Sequence, residues 1–455
     1  MIDQHTHRLL TARLAAEQAA RRLPSVSAGL LRGGGLAWSA GRGRIRGTSG
    51  PVPDAGVQYR AGSITKSFVA VAVLRLRDAG RIDLSDPVGA HLDAGEVAHL
   101  TIGQLLSHTS GLRAETAGPW WERTAGISLP ELTAGSLGPD AARLRPGRRY
   151  HYSSVGYALL GALVARLHDA PWYEVIAGEL LAPLGMNRTT LAPQAPHAAG
   201  FAVHPHADLL LPEPEHDAAA MGPAGQLWTT VADLARWARF LAGDTGGLLA
   251  EATLAEMREP VTVHDAAGAP WAQGYGLGLQ LWNDGGARSY GHSGSMPGFT
   301  AIVQIAADSG DAAIALCNST AGFGDALSTD LLTILAEREP RIRAEWTPAA
   351  VAGDVLELAG PWYWGPVSYL LRVTGGELEL TAAASSLPGL RFGPDGDGGW
   401  TGLDGRCTGE PLVPLRGPGG EVRALDFGSV IFTRTPYDPQ APVPGGVDPG
   451  GWRAG

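Results

Sequence analysis

Short apolar runs bounded by turn residues stand near the start of the chain and again far along it, with a helical stretch between them. Ser25-Val-Ser-Ala-Gly-Leu-Leu31 and Leu36-Ala-Trp-Ser-Ala40 flank Gly33-Gly34-Gly35 and read as a hairpin. Residues 274–282, 300–306 and 311–317 return to the strand pattern, separated by glycine-bearing turns. Around and between them the spacing predicts helices over 7–22, 101–107, 153–168, 172–181, 230–242 and 325–338. Another begins at Ser63: Ile64, Phe68, Val69, Val71, Val73, Leu74 and Leu76 are apolar on more than one face and stop at Asp78-Ala-Gly80, the pattern of a buried helix. Strands at both ends of a helical middle require sequence-distant segments to complete one sheet. The fold class is therefore α/β, in the looser α+β sense.

The 455 residues exceed what such a sheet needs, and composition shifts after the last helix. Tyr369-Leu-Leu-Arg-Val-Thr-Gly-Gly-Glu-Leu-Glu-Leu380 reads as a hairpin about Gly375-Gly376, and 421–434 alternates likewise. We expect a first domain over 1–345, a small all-β domain over 346–437, and a loose Pro- and Gly-rich tail over 438–455.

With 35 Lys plus Arg against 45 Asp plus Glu, the formal charge of −10 would repel a phosphate backbone, which argues against nucleic acid as a partner. The 2 cysteines, Cys317 and Cys407, are too few for a disulfide framework or a thiolate metal site. His204-Pro-His206 and His216 lie in a Pro-rich stretch without helical ligand spacing, so no metal is expected. No P-loop or dinucleotide fingerprint occurs, and no cofactor is expected. The first residues lack a signal-peptide core and no run reaches the length of a membrane span, so the expected location is cytoplasmic, without membrane partners.

The chain holds a single lysine, Lys66, while Arg supplies the remaining positive charge. Arg cannot be deprotonated in a protein, whereas a desolvated Lys can have its pKa lowered toward neutrality and accept a proton. Ser63 stands three residues earlier, in Ser63-Ile-Thr-Lys66 at the mouth of the buried helix. That spacing puts hydroxyl and amine one turn apart on one face, and the unpaired first-turn amides face a developing oxyanion. The plain alternative is a capping serine and a surface lysine. The apolar neighbours Phe68 and Val69 argue against it.

At this point the chain resembles the penicillin-recognising serine hydrolases, which include class C β-lactamases, D-aminopeptidases, esterases and penicillin-binding-protein-type thioesterases. From about residue 20 to 335 the motifs follow in order. Ser63-Ile-Thr-Lys66 resembles the family's first motif, and Leu105-Leu-Ser-His-Thr-Ser-Gly-Leu112 its helix-to-loop signature. Tyr152-Ser-Ser154 stands where the family has Tyr-x-Asn, Pro183-Leu-Gly-Met186 matches a packing segment, and His292-Ser293-Gly294 sits where other members carry Lys-Thr-Gly or His-x-Gly.

The resemblance implies a β-lactamase-like domain with a mainly antiparallel sheet, followed by a lipocalin-like barrel that could cover the site. It implies Ser63 as acylated nucleophile, Lys66 as its activator, Tyr152 as proton shuttle, and the amides of Ser63 and Ser295 as oxyanion donors. Which of Lys66 and Tyr152 takes the Ser63 proton is open at this level. His292 is expected to face substrate, and Ser154, Ser293, Gly294, Ser295, Trp120, Trp121 and Trp364 to line the binding site. Two departures matter: Ser154 replaces the Asn amide and His292 replaces the carboxylate-anchoring lysine, so efficient β-lactam hydrolysis is not expected. The absence of a G-x-S-x-G elbow removes the α/β-hydrolase reading.

The functional expectation is a thioesterase that releases and macrocyclises a nonribosomal peptide from a carrier-protein thioester. The alternative is an esterase or D-aminopeptidase that hydrolyses a peptide or ester. A reading from another class is a binding or sensor protein on the same fold.

Overall fold

The computed structural model describes residues 2–264, 268–384, 389–396, 399–428 and 430–436. It divides into two compact units, Met1–Arg341 and Ile342–Gly455, a few residues before the boundary expected from composition. The tail expected to be loose lies outside the described residues.

The first unit is built on an eight-stranded sheet. Its strands are β1 (Ser25–Arg32), β2 (Gly35–Gly43), β3 (Thr262–Val263), β4 (Gln273–Tyr275), β5 (Gln280–Asp284), β6 (Ala287–Met296), β7 (Phe299–Ala306) and β8 (Ala312–Cys317). They lie in the order β2-β1-β8-β7-β6-β5-β4-β3, with every neighbour antiparallel. The early hairpin meets the late strands through Val26↔Cys317 and the following pairs.

Every residue of β8 is buried, because both faces of this part of the sheet are covered. Ala313, Ala315 and Cys317 pack with Leu10 and Leu14 of α1 (Gln4–Ala20) and with Leu327, Leu331 and Leu335 of α5 (Leu327–Arg338). Ala312, Ile314 and Leu316 join the larger core, which holds α2 (Thr65–Asp78), α3 (Ser154–His168) and α4 (Val231–Ala242). Phe68 through Leu74 are all buried, so α2 runs through the centre of that core, as its pattern without a polar face predicts. It ends with Arg75 and Arg77 beside its carbonyl terminus and Gly80 at φ +69 beyond it.

The stretch 274–282, expected as one strand, is a hairpin. β4 and β5 pair with Tyr275 opposite Gln280. Gly278 turns the chain at φ +81, and a Cβ there would lie 2.1 Å from the Ala70 Cβ.

The second unit is a closed antiparallel barrel of eight strands. They are β9 (Gly360–Trp364), β10 (Val367–Thr374), β11 (Glu377–Ala382), β12 (Leu390–Pro394), β13 (Trp400–Gly402), β14 (Pro411–Arg416), β15 (Val422–Phe427) and β16 (Val430–Thr433). Tyr363↔Thr433 closes the ring. Gly375 and Gly376, at φ +62 and +84, supply the positive φ that a tight hairpin turn needs at both central positions. Trp362, Leu371, Leu380, Phe392, Leu412 and Phe432 fill the interior.

One contact in the first unit fixes the site described next. A Cβ added to Gly294 of β6 would lie 2.0 Å from the Ala61 carbonyl oxygen and 2.8 Å from the Ser63 nitrogen. Both obstacles are backbone, so Gly294→Ala should destabilise the unit by about 1–3 kcal/mol, the usual cost of overpacking. Urea unfolding measures this, and an unchanged midpoint would show that the two segments do not pack as described.

Candidate active site

Ser63 is carried by a single 3-10 turn, Gly62–Ile64, at the entrance to α2. A short ladder, Tyr59↔Thr229 and Arg60↔Trp228, leads into it, and Ala61 N–H donates to the Leu227 carbonyl at 2.7 Å. Gly62 holds φ +54, and a Cβ there would come within 2.5 Å of the Ser295 nitrogen. Only glycine permits both that conformation and that approach. The Gly62 and Gly294 contacts together press the 61–63 segment against β6 and bring the Ser63 and Ser295 amides to one place.

Strand β6 is paired on one side from Ser289↔Ala306 to its end at Met296↔Phe299. On the other side its pairing with β5 stops at Gly291↔Gln280. Ser293 N–H points to that second side, where it donates to Gln280 Oε1 at 2.8 Å. Backbone direction alternates along a strand, so the Ser295 amide and carbonyl face the same free edge. An extended peptide could add there as a further strand, with its carbonyl at the paired amides.

Lys66 is fully buried, with Nζ 3.0 Å from Ser63 Oγ and donating to the Ala224 carbonyl at 2.7 Å. The rings of Tyr152 and Tyr157 lie 4.8 and 5.8 Å from Nζ. Burial disfavours the ammonium and pushes its pKa down to about 7, against a smaller opposing pull from Glu115 and Glu122. The Tyr152 hydroxyl is hydrogen-bonded to Ser63, but burial holds this phenol well above its ordinary pKa. The structure therefore brings Ser63, Lys66 and Tyr152 together, and of the two possible bases only Lys66 can lose its proton near neutrality.

His292 departs from expectation. It points to the inner side of β6, is 1 % exposed, and has both ring nitrogens engaged. Nδ1 lies 2.5 Å from the Ser293 carbonyl, which can only accept, so Nδ1 carries the proton. Burial and the nearby Lys66 push the ring pKa down to about 3, so Nε2 is an acceptor, and the Tyr275 hydroxyl donates to it at 2.9 Å. The ring offers no free nitrogen to a substrate. Strand alternation is the cause: Ser293 and Ser295 face outward, whereas His292 and Gly294 face the core.

The other expected lining residues separate. Ser154 is buried at the start of α3, and its Oγ donates to Glu115 Oε1 at 3.1 Å. Trp121 is buried and donates from Nε1 to Glu115 Oε2 at 2.6 Å, so it acts through that carboxylate. Trp120 is exposed beside it, hydrogen-bonded to Glu122 and stacked with the Arg123 guanidinium. Ser293 is tied to Gln280 through both its amide and its hydroxyl. Trp364 belongs to the second unit, where it ends β9.

Glu115 was not anticipated. It lies in an exposed, irregular loop with no periodic or motif signal, yet its carboxylate interacts with Lys66, and partial desolvation raises its pKa from the ordinary value against the opposing pull of Trp121, Lys66 and Ser154. Ala224, whose carbonyl holds Lys66, carries no side-chain signal at all.

A serine bonded to a buried lysine and a phenol, with paired amides beside it, defines a serine hydrolase of the acyl-enzyme type. The chain belongs to the beta-lactamase family, whose model matches residues 10–337. Residues 351–434 match a domain of unknown function. Among curated relatives, penicillin-binding protein 4 of Amycolatopsis lactamdurans is 29% identical over 326 residues, covering 67% of this chain and 84% of that protein. The octameric penicillin-binding protein homologue from Pyrococcus abyssi superposes with a TM-score of 0.65 at 21% identity, covering 94% of this chain and 99% of that one. A D-stereospecific amidohydrolase from Streptomyces sp. gives 0.59 at 26% identity, covering 72% and 98%. Among the described residues, no helix is long and apolar enough to cross a membrane.

Because only neutral Lys66 can accept the Ser63 proton, the rate of Ser63 acylation should rise with pH through about 7 and then level. Stopped-flow acylation across pH 5–10 checks this. Lys66→Arg should lose at least about 100-fold in that rate although charge is kept. Near-normal acylation by the variant would contradict the assignment.

Proposed function

We propose that the protein transfers acyl groups through an ester on Ser63, from a peptide-like donor with a free amine, and that water is the usual acceptor. Neutral Lys66 takes the Ser63 hydroxyl proton as Oγ attacks the donor carbonyl. The carbonyl oxygen, now negative, is held by the Ser63 and Ser295 amides. As the tetrahedral adduct collapses, the phenol of Tyr152 supplies a proton to the departing amine, and the proton held on Lys66 restores it; an activated thiolate leaves without that proton, and Lys66 then releases its own to solvent. Water then attacks the ester and gives a proton to Lys66, which returns it to the departing Ser63 Oγ, leaving an acid and free Ser63.

The observation that carries this reading is the Glu115 carboxylate, held by Ser154 and Trp121 within electrostatic range of Lys66. Where a bulky amide would hold a neutral carbonyl, Ser154 instead orients an anion, which suits an ammonium group on the substrate. The likeness to a D-stereospecific amidohydrolase supports a D-residue at the acylated position. The natural substrate class would be D-residue amides, esters or short peptides.

A second reading is the macrocyclising thioesterase fed by a carrier-protein domain, for which the unpaired edge of β6 beyond Gly291 offers a place to hold an extended peptide. A groove of about 1480 Å³ runs over the outer face of β5, β6 and β7, reaching Tyr150 and Ser293 at one end but not lined by Ser63, Lys66, Tyr152 or Ser295. A single amino-acid amide needs far less, whereas a long peptide could lie there and return its own amine to the ester.

Glu115→Gln should raise KM about 10- to 100-fold for a D-amino acid amide with a free amine, the scale of a lost charged hydrogen bond. It should leave the N-acetylated analogue nearly unchanged, and equal effects on both would refute ammonium recognition. A peptidyl thioester ending in a D-residue separates the two readings by mass, since a cyclic product is lighter than the linear acid by one water. Only linear acid across many peptides would eliminate cyclisation.

A further inference from the structure

Beyond the short helix Ile102–Leu106 the chain places His108 under the site, and no step above uses it. His108 is fully buried and holds φ +56, a left-handed conformation that His adopts more readily than most residues. The peptide on each side of Tyr152 is tied to it. His151 N–H donates to the His108 carbonyl at 2.8 Å, and Ser153 N–H donates to the ring Nδ1 at 3.1 Å. Its ring also packs on that of Tyr152, with centroids 4.2 Å apart and planes inclined by 36°.

We propose that His108 is the positioning residue for Tyr152, clamping its backbone on both sides and its ring on one face so that the phenol stays on Ser63. The inference rests on the role given to Tyr152 above. Three features make histidine suited to the task. The positive φ turns the His108 carbonyl and ring toward the same strand of chain. Nδ1 supplies an acceptor at the right depth, and the flat ring supplies a packing surface that Asn would lack.

The tautomer follows from the geometry. Since Nδ1 accepts a backbone N–H, the single proton of the neutral ring sits on Nε2. Nε2 has no hydrogen-bond partner, and the His108 ring lies in a shell of phenols, its centroid 4.5, 5.1 and 6.0 Å from those of Tyr275, Tyr157 and Tyr150. The cationic or titratable groups acting on it are Lys66, His292 and His151, and all of them oppose a second proton. A protonated ring would break the Ser153 bond. An unpaired donor is what remains when a residue is held for its acceptor and its shape.

The test compares two leaving groups. Tyr152→Phe should slow turnover of an amide, whose amine must be protonated, at least about tenfold more than turnover of an activated thioester. His108→Asn, which keeps an acceptor and tolerates the backbone, and His108→Phe, which keeps the ring, should each reproduce that selective loss in kcat, with KM changed less than about threefold. Adding either to Tyr152→Phe should cost amide turnover little more, whereas a merely structural role would depress both substrates equally and add fully. In the unaltered protein, nitrogen NMR should find His108 protonated on Nε2 alone and not titrating from pH 5 to 9. A titrating ring, or one protonated on Nδ1, overturns the clamp whatever the variants do. If Tyr152→Phe keeps amide turnover, the acyl-transfer roles fall and this inference with them. If it loses turnover while the His108 variants do not, only this inference falls.

Discussion

The removal of one amine from water governs this structure. Lys66 sits fully buried with a backbone carbonyl, a serine hydroxyl and two phenol rings for company. An ammonium there has lost its hydration and gained only partial compensation, so its proton is weakly held. Everything chemical about Ser63 depends on that weakness. A hydroxyl is a poor nucleophile until something takes its proton, and the other neighbour, Tyr152, is pushed by the same burial away from the form that could. One desolvated environment thus separates a base from an acid.

The fold serves this pocket through backbone contacts more than through side-chain detail. α2 must be buried on every side for its first turn to carry a desolvated lysine, and the surrounding core supplies that burial. Two glycines then let the 61–63 segment touch β6, which sets the paired amides without any side chain. The early termination of the β5 pairing leaves the strand edge open beside them. A sheet closed along that edge would hold the same catalytic groups and admit no peptide.

Much of this was legible in the sequence, for reasons that can be named. Lys66 stood out because a chain otherwise committed to Arg kept one amine, and the i, i+3 spacing from Ser63 survives folding as a contact. Tyr152 was reachable only through the order of motifs, since nothing local ties it to residues ninety positions away. The position of His292 was legible but its direction was misjudged. Period-two alternation in Ser289-Tyr290-Gly291-His292-Ser293 would have turned it inward, had that pattern been weighed above the family's usual role. The 274–282 stretch read as one strand because its glycines look like weak strand positions, when Gly278 is a turn pressed against α2. Glu115 left no trace, as a loop carboxylate acquires meaning only from the groups folded around it. The barrel's hairpins were visible, but ring closure is a long-range property that no local pattern encodes.

Because the chain contains a single lysine, its protonation can be observed directly. Protein labelled with nitrogen-15 and carbon-13 in lysine alone should give one side-chain ammonium resonance, and following the Cε and Nζ shifts from pH 5 to 11 yields its pKa without any substrate. The account predicts a midpoint near 7. A midpoint at or above about 10, the value for a lysine in water, would contradict it, because the amine would then be charged wherever the enzyme works and could not accept the serine's proton.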